Sequence, residues 1–280
     1  MYPYIEIFGH KIPTYGTMIG IGFLLCIAIT LLYLLKYRTN IIPLVILILL
    51  TCLSGAVMYL SAAFFDALWH NLDTWRETGT FTWKWWGITF SGGLLGGLLF
   101  YVIAYWFIFS FISKIKRYNN ERYKLTYYLN FIIVGVVLAH AFGRVGCYFG
   151  GCCYGRETTS WLGVNYPIET YFDGTQLFKV VYPTQLFEAG FLFILFVVLF
   201  FFVRKNQLRV YLISYGIFRF ILEFFRGDSR GATIFGVMSP SQLISVIMVI
   251  VGVLLIFFED KLIYLVKKKC NPELLSIDAK

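Results

Sequence analysis

The sequence predicts an all-α integral membrane protein with seven transmembrane helices. Three observations lead there. Hydrophobic residues make up 59% of the chain and charged residues only 14%, against about 25% charged in ordinary soluble domains. Apolar windows of the ~20 residues that span a bilayer as a helix recur along most of the chain. Lysine and arginine gather in alternate connections between those windows. A chain of this composition lacks the polar surface to face water on all sides. In lipid an unpaired backbone is very costly, so the windows are expected as helices and not as isolated strands.

The windows fall at 17–35, 42–63, 88–112, 125–149, 184–203, 209–226 and 237–259. Together they predict a single polytopic domain over residues 1–280, with loops or arms at 64–87 and 150–183 on the outer face. The net charge of +9 does not signal nucleic acid, because the basic residues sit at the ends of apolar segments. The clusters Lys114, Lys116, Arg117 and Lys267, Lys268, Lys269 mark the cytoplasmic side. The N-terminus is therefore expected outside and the C-terminus inside. No small-residue cleavage site follows the first apolar run, so that helix is expected to be retained. Trp69, Trp75, Trp83, Trp85 and Trp86 crowd the first outer segment and read as an interfacial belt.

Ionisable residues inside membrane helices are costly and tend to face the bundle interior. The fourth helix carries His140, Arg144 and Cys147; the sixth carries Tyr215, Arg219, Glu223 and Arg226. Spacings of three and four put each set on one helical face. Arg219 with Glu223 alone would fit an internal salt bridge that locks the bundle. Two converging arginines point instead to an anion, and in a membrane the anion at hand is a phosphodiester head group, which the guanidinium fork suits. Two helix starts echo each other, Pro183-Thr184-Gln185-Leu186 and Pro240-Ser241-Gln242-Leu243. Proline is tolerated in the first helical turn.

Of the six cysteines, Cys26 and Cys52 lie in apolar runs and read as packing residues, and Cys270 lies in the C-terminal tail. Cys147, Cys152 and Cys153 cluster in one short segment. Gly143, Gly146 and Gly150 form a small-residue face there, and Gly150, Gly151 and Gly155 let the chain leave the helix sharply. The residues leave four readings of the cysteines open: a thiolate stabilised by His140 or Arg144, a metal site with His and Cys ligands, a disulfide at an oxidising outer face, or small packing groups. Their spacing matches no standard zinc motif, and neither a metal nor a cofactor is expected.

Five ordered motifs resemble the prolipoprotein diacylglyceryl transferases of bacteria, over most of the chain. The family signature Gly-Arg-x-Gly-Asn-x-x-x-x-Glu-x-x-Gly reads here as Gly143-Arg144-Val145-Gly146-Cys147 through Cys152 to Gly155. Tyr15-Gly16 matches an early Tyr-Gly, and Ser91-Gly92-Gly93-Leu94 a His-Gly-Gly-Leu. Tyr182-Pro183-Thr184-Gln185-Leu186-Phe187-Glu188 matches a His-Pro-Ser-Gln-Leu-Tyr-Glu. Tyr215-Gly216 through Arg219 and Glu223 to Arg226 matches the last motif. The departures are Cys147 for the signature Asn, Cys152 for the signature Glu and Ser91 for the His.

The resemblance implies transfer of a diacylglyceryl group from phosphatidylglycerol to the lipobox cysteine of a prolipoprotein precursor. It implies a bacterial cytoplasmic (inner) membrane location and an active site near the outer leaflet. His140, Arg219, Glu223, Tyr15, Cys147 and Cys152 are the expected catalytic residues. Arg144, Arg219, Gly155, Arg226, Ser91, Gly92, Gln185 and Glu188 are the expected substrate-binding residues. Within this scheme Arg144 and Arg219 clamp the phosphate and His140 is the base. Two alternatives stand beside it: a same-fold transferase moving a lipid or polyprenyl group to another acceptor, and a non-enzymatic lipid-binding membrane protein.

Overall fold

The computed structural model describes residues 4–7, 10–37, 41–81, 83–85, 90–112, 114–115, 125–170, 176–227 and 238–270. A short antiparallel hairpin opens the chain, β1 (Tyr4–Ile7) with β2 (His10–Pro13), in the register Tyr4 opposite Pro13. Seven α-helices follow among the described residues: α1 (Thr14–Tyr37), α2 (Ile41–Thr78), α3 (Phe90–Ile112), α4 (Leu125–Phe149), α5 (Thr184–Val197), α6 (Gln207–Leu222) and α7 (Pro240–Cys270). Between α4 and α5 stands a second antiparallel hairpin, β3 (Val164–Thr170) with β4 (Gln176–Val181). Five of the helices are long and apolar enough to cross a membrane. Helix α6 is shorter and more polar because it carries Arg209 and Arg219. The protein is an all-α polytopic membrane protein, decorated by two small hairpins.

Helix α2 runs further than its hydropathy suggests. Residues 64–78, read from the sequence as part of an outer loop, are helical. The apolar stretch does fade, but no Gly or Pro interrupts the chain until Gly79. Gly79 adopts φ +69° and donates its N–H to Trp75 O at 2.9 Å, so it ends the helix as a left-handed glycine cap does. Asn71 then clamps the returning strand: Nδ2 donates to Lys84 O at 2.8 Å and Oδ1 accepts from Lys84 N at 3.0 Å.

The chain divides into two compact units: Met1–Tyr37 with Leu129–Lys280, and Arg38–Tyr128. In the second unit α3 lies against α2 through Gly93 and Gly97, where an added Cβ would stand 2.8 Å from Met58 atoms.

The first unit is built around α4. Val134, Val137, Leu138 and Ala141 are buried on successive turns of this helix. Helix α1 meets α4 at two glycines facing small neighbours. A Cβ on Gly22 would stand 2.9 Å from Ala139 O, and one on Gly135 would stand 2.8 Å from Cys26 O. Such small-residue seams let membrane helices approach closely where no hydrophobic force drives them together. Asn130 Oδ1 of α4 accepts from Leu208 N at 2.8 Å, capping the start of α6. Helix α7 packs on α6 where Gly216 meets Ser245 O and Gly252 meets Arg209 O. Leu24, Leu35, Ile194, Phe202 and Phe257 are turned outward, as lipid-facing positions require.

The seam makes a prediction. Gly135→Val places atoms where Cys26 backbone already lies and is expected to cost roughly 1–3 kcal/mol by overpacking. Gly143→Ala meets open space and is expected to be neutral. Thermal unfolding of the two variants in detergent checks the contrast.

Candidate active site

The polar residues of α4, α5 and α6 converge on Glu188. This carboxylate is 1% exposed and sits one turn into α5. Arg144 Nη2 approaches Glu188 Oε1 at 3.0 Å, and the Tyr215 hydroxyl donates to the same oxygen at 2.7 Å. His140 Nε2 lies 3.6 Å away, and its ring meets Tyr215 edge-on at 5.3 Å. A buried carboxylate is tolerated only when charges and donors satisfy it. Here both predicted stripes, that of α4 and that of α6, supply them.

One turn further along α6, Arg219 Nη2 pairs with Glu223 Oε2 at 2.8 Å. Arg226 Nε stands 3.9 Å from the same oxygen, and the Ser239 hydroxyl donates to Glu223 Oε1 at 2.8 Å. Arg219 is 6% exposed, and its Nη1 is buried with no hydrogen-bond partner among the described residues. Arg144 and Arg219 both lie within electrostatic reach of His140. His140 keeps 29% of its side chain exposed, so of this group it is the titratable side chain with an open face.

The cysteine loop closes on the same helices. Cys147 is buried at the end of α4, Cys153 is half-buried and Cys152 is exposed. No disulfide joins these three. The loop turns through Gly151 at φ +81° and Cys153 at φ +63°. Gln185 Nε2 donates to Cys152 O at 2.5 Å, and Thr184 Oγ1 donates to Cys153 O at 2.9 Å. Gln185 also donates to the Tyr166 hydroxyl at 3.1 Å, which in turn donates to Tyr148 O at 3.0 Å. Burial pushes the Tyr166 phenol up, which keeps it protonated as that donor. Hydrogen bonds from Cys147 and Cys152, with Arg226 nearby, hold the Cys153 thiol well below the usual thiol range.

The other expected site residues divide. Tyr15 stands in the first turn of α1, partly exposed, and its Cβ faces Gly150. It lies within electrostatic reach of Arg144 and of all three clustered cysteines. Gln185 spends its amide on the loop. Gly155 is fixed by space: its N–H donates to Tyr182 O at 2.8 Å, and an added Cβ would stand 2.6 Å from Phe225 O. Gly155 also bridges to Arg226, so the loop is stapled to the end of α6. Ser91 and Gly92 belong to the α2–α3 unit, and their side-chain surroundings lie outside the described residues.

Two residues escape the sequence reading. Tyr166 carries no motif. Ser239 does leave a signal, since Ser239-Pro240-Ser241-Gln242 is a capping box with Pro at the first helical position. Ser239 N donates to Gln242 Oε1 at 3.0 Å and Gln242 N to Ser239 Oγ at 3.2 Å. The two Pro-x-Gln echoes therefore diverge: Gln242 caps its own helix, while Gln185 reaches out to the cysteine loop.

Buried arginines and carboxylates among apolar helices define a polytopic membrane protein with a charged centre inside the bundle. The comparisons with known proteins agree. The family model described as prolipoprotein diacylglyceryl transferase matches residues 3–258. A protein of Clostridium perfringens (strain 13 / Type A), named phosphatidylglycerol–prolipoprotein diacylglyceryl transferase 2, is 32% identical over 89% of this chain and 92% of its own. A Clostridium tetani protein named phosphatidylglycerol–prolipoprotein diacylglyceryl transferase is 29% identical over 89% of this chain and 93% of its own. One of the same name from Acinetobacter baumannii (strain ACICU) is 30% identical over 68% of each chain. The chain belongs to the prolipoprotein diacylglyceryl transferase family.

Removing one partner of a buried pair leaves the other charge uncompensated, at a cost of about 3–5 kcal/mol. Glu188→Ala is therefore expected to unfold at markedly lower temperature than the wild type. Arg144→Ala with Glu188→Ala together should recover part of that loss, and a double-mutant cycle in detergent reads it.

Proposed function

We propose that this chain is a phosphatidylglycerol–prolipoprotein diacylglyceryl transferase acting on the lipobox cysteine of secreted precursors. In this reaction the precursor thiolate attacks the glycerol carbon that carries the phosphodiester. A C–S bond forms and a C–O bond breaks. The thiol proton passes to a base, and glycerol phosphate leaves. The protein needs to neutralise the departing phosphate, accept the proton and hold both substrates together.

The observation that carries this reading is Arg219, whose Nη1 is buried without a partner among the described residues. Around it three arginines, Arg144, Arg219 and Arg226, face two carboxylates, Glu188 and Glu223. That leaves one positive charge, matched to the single negative charge of a phosphodiester. We assign Arg219 and Arg144 to the phosphate, with Glu223 and Glu188 positioning them. His140 takes the thiol proton, since its ring keeps an open face and its Nε2 stands 3.6 Å from the Glu188 carboxylate, which favours the imidazolium. Tyr15 lies at the mouth of α1 and helps orient the substrate. The relatives from Clostridium perfringens and Clostridium tetani are named for the same two substrates.

The site also has a side. It is built from the C-terminal ends of α4 and α6 and the N-terminal ends of α1, α5 and α7. The opposite ends carry Lys36, Arg204, Lys205 and Lys267 to Lys269. Basic residues favour the cytoplasmic face, so we place the site near the outer leaflet of the cytoplasmic membrane, with the C-terminus inside.

Three outcomes are expected. In phosphatidylglycerol bilayers with a lipobox peptide, the protein releases glycerol phosphate and the peptide gains one diacylglyceryl unit. Arg219→Ala lowers that turnover by roughly 10²–10³, the usual effect of losing one group that stabilises developing charge. Release of glycerol phosphate with no gain in peptide mass would point to a different acceptor; no release from folded protein would refute the reading. A phosphatase fused after residue 280 is expected to stay inactive in cells, as a cytoplasmic C-terminus requires.

A further inference from the structure

Two of the three departures from the family motifs, Cys147 and Cys152, are gathered with Cys153. The Sγ atoms of Cys147, Cys152 and Cys153 lie within 4.8 Å of one another. Three sulfurs bound to one zinc ion at ~2.3 Å stand about 4 Å apart. The observed arrangement reaches that spacing by closing less than about 1 Å. A disulfide needs its two sulfurs at about 2.0 Å and would leave the third thiol unused.

The loop that presents the thiols is held from behind. Cys153 adopts φ +63°, a conformation that costs a non-glycine residue roughly 1–2 kcal/mol. Thr184 and Gln185, each 1% exposed, hold the carbonyls of Cys153 and Cys152. A backbone kept in a costly conformation by buried side chains is a mark of a site that needs its shape. Fixed second-layer hydrogen bonds of this kind orient metal ligands. Burial falls from Cys147 through Cys153 to Cys152, giving an ion a route in and a fourth position open to solvent. Arg144 and Arg226 lie within electrostatic reach of the thiols.

We propose that Cys147, Cys152 and Cys153 form a three-thiolate site for a thiophilic d¹⁰ cation such as Zn²⁺, open on the Cys152 side. Binding releases the thiol protons to solvent. The bound ion ties the loop after α4 to the end of that helix, at the two positions where the family signature has an amide and a carboxylate. The proposal stands on the geometry of the three thiols, and its test reads metal and not turnover.

The experiment uses the full chain with Cys26, Cys52 and Cys270 replaced by Ala, reduced, freed of metal and held in detergent. Cd²⁺ is titrated while its thiolate charge-transfer absorption is followed, and bound Zn²⁺ is measured by elemental analysis. The expected result is a break at one equivalent, an absorption corresponding to three thiolates, and a higher Tm with Zn²⁺. Cys152→Ser, the change at the exposed ligand, is expected to weaken binding roughly tenfold or more. Three results would each overturn the proposal. One is no uptake by folded protein whose three thiols all react with a thiol reagent. Another is uptake unchanged in Cys152→Ser and in the variant with all three cysteines as Ser. The last is a disulfide within the cluster that re-forms after reduction and excludes the ion.

Discussion

A carboxylate buried among apolar helices is the constraint on which the rest of this structure depends. Glu188 accepts from Tyr215 and pairs with Arg144, so one oxygen ties α5 to both α4 and α6. Left alone, such a charge would be too costly to bury in a membrane interior. Its satisfaction sets the rotation of three helices at once. Helix α4 is then the hub: α1 is drawn to it at Gly22 and Gly135, and the start of α6 is fixed to it by Asn130. Arg219 follows from the same geometry, because it lies one turn beyond Tyr215 on the face already turned inward.

The first two turns of α5 serve both halves of the site. Thr184 and Gln185 hold the cysteine loop, and Glu188, on the same helical face, holds Arg144. The anion-holding group and the thiol group are therefore set by one rigid element. A shift of that helix start would move both together.

How much was legible in the sequence follows from which signals are local. The helices were, since ~20 apolar residues in a row are enough to mark a span. So were the stripes of α4 and α6, because intramembrane charges at helical spacing are conspicuous. The pairing between them was not. Arg219 with Glu223 is an i,i+4 pair visible in one helix, whereas Arg144 with Glu188 joins two helices far apart in the chain. The end of α2 was misjudged because hydropathy reports lipid contact and not helix length; the stop at Gly79 depends on a backbone conformation. The cysteines were visible as a cluster, but their spacing resembles no metal motif. What draws the three sulfurs together is left-handed backbone at Gly151 and at Cys153, with two side chains from α5, none of which the cysteine spacing shows. The hairpin β1–β2 went unread, being too short to show a pattern.

The arm between α4 and α5 begins and ends at the same place. Gly155 N donates to Tyr182 O and Tyr182 N donates to Arg156 O, so the excursion through β3 and β4 closes at its own base. Extending a loop whose ends are already joined adds little entropy, about 0.6 kcal/mol for each doubling of length. The length of chain beyond that closure therefore bears little on the base. The exception is Tyr166, which reaches from β3 to Gln185 and Tyr148 and anchors the arm to the bundle. Loss of the Tyr166 hydroxyl would therefore release the arm from the bundle while the closure at Gly155 and Tyr182 kept its base in place.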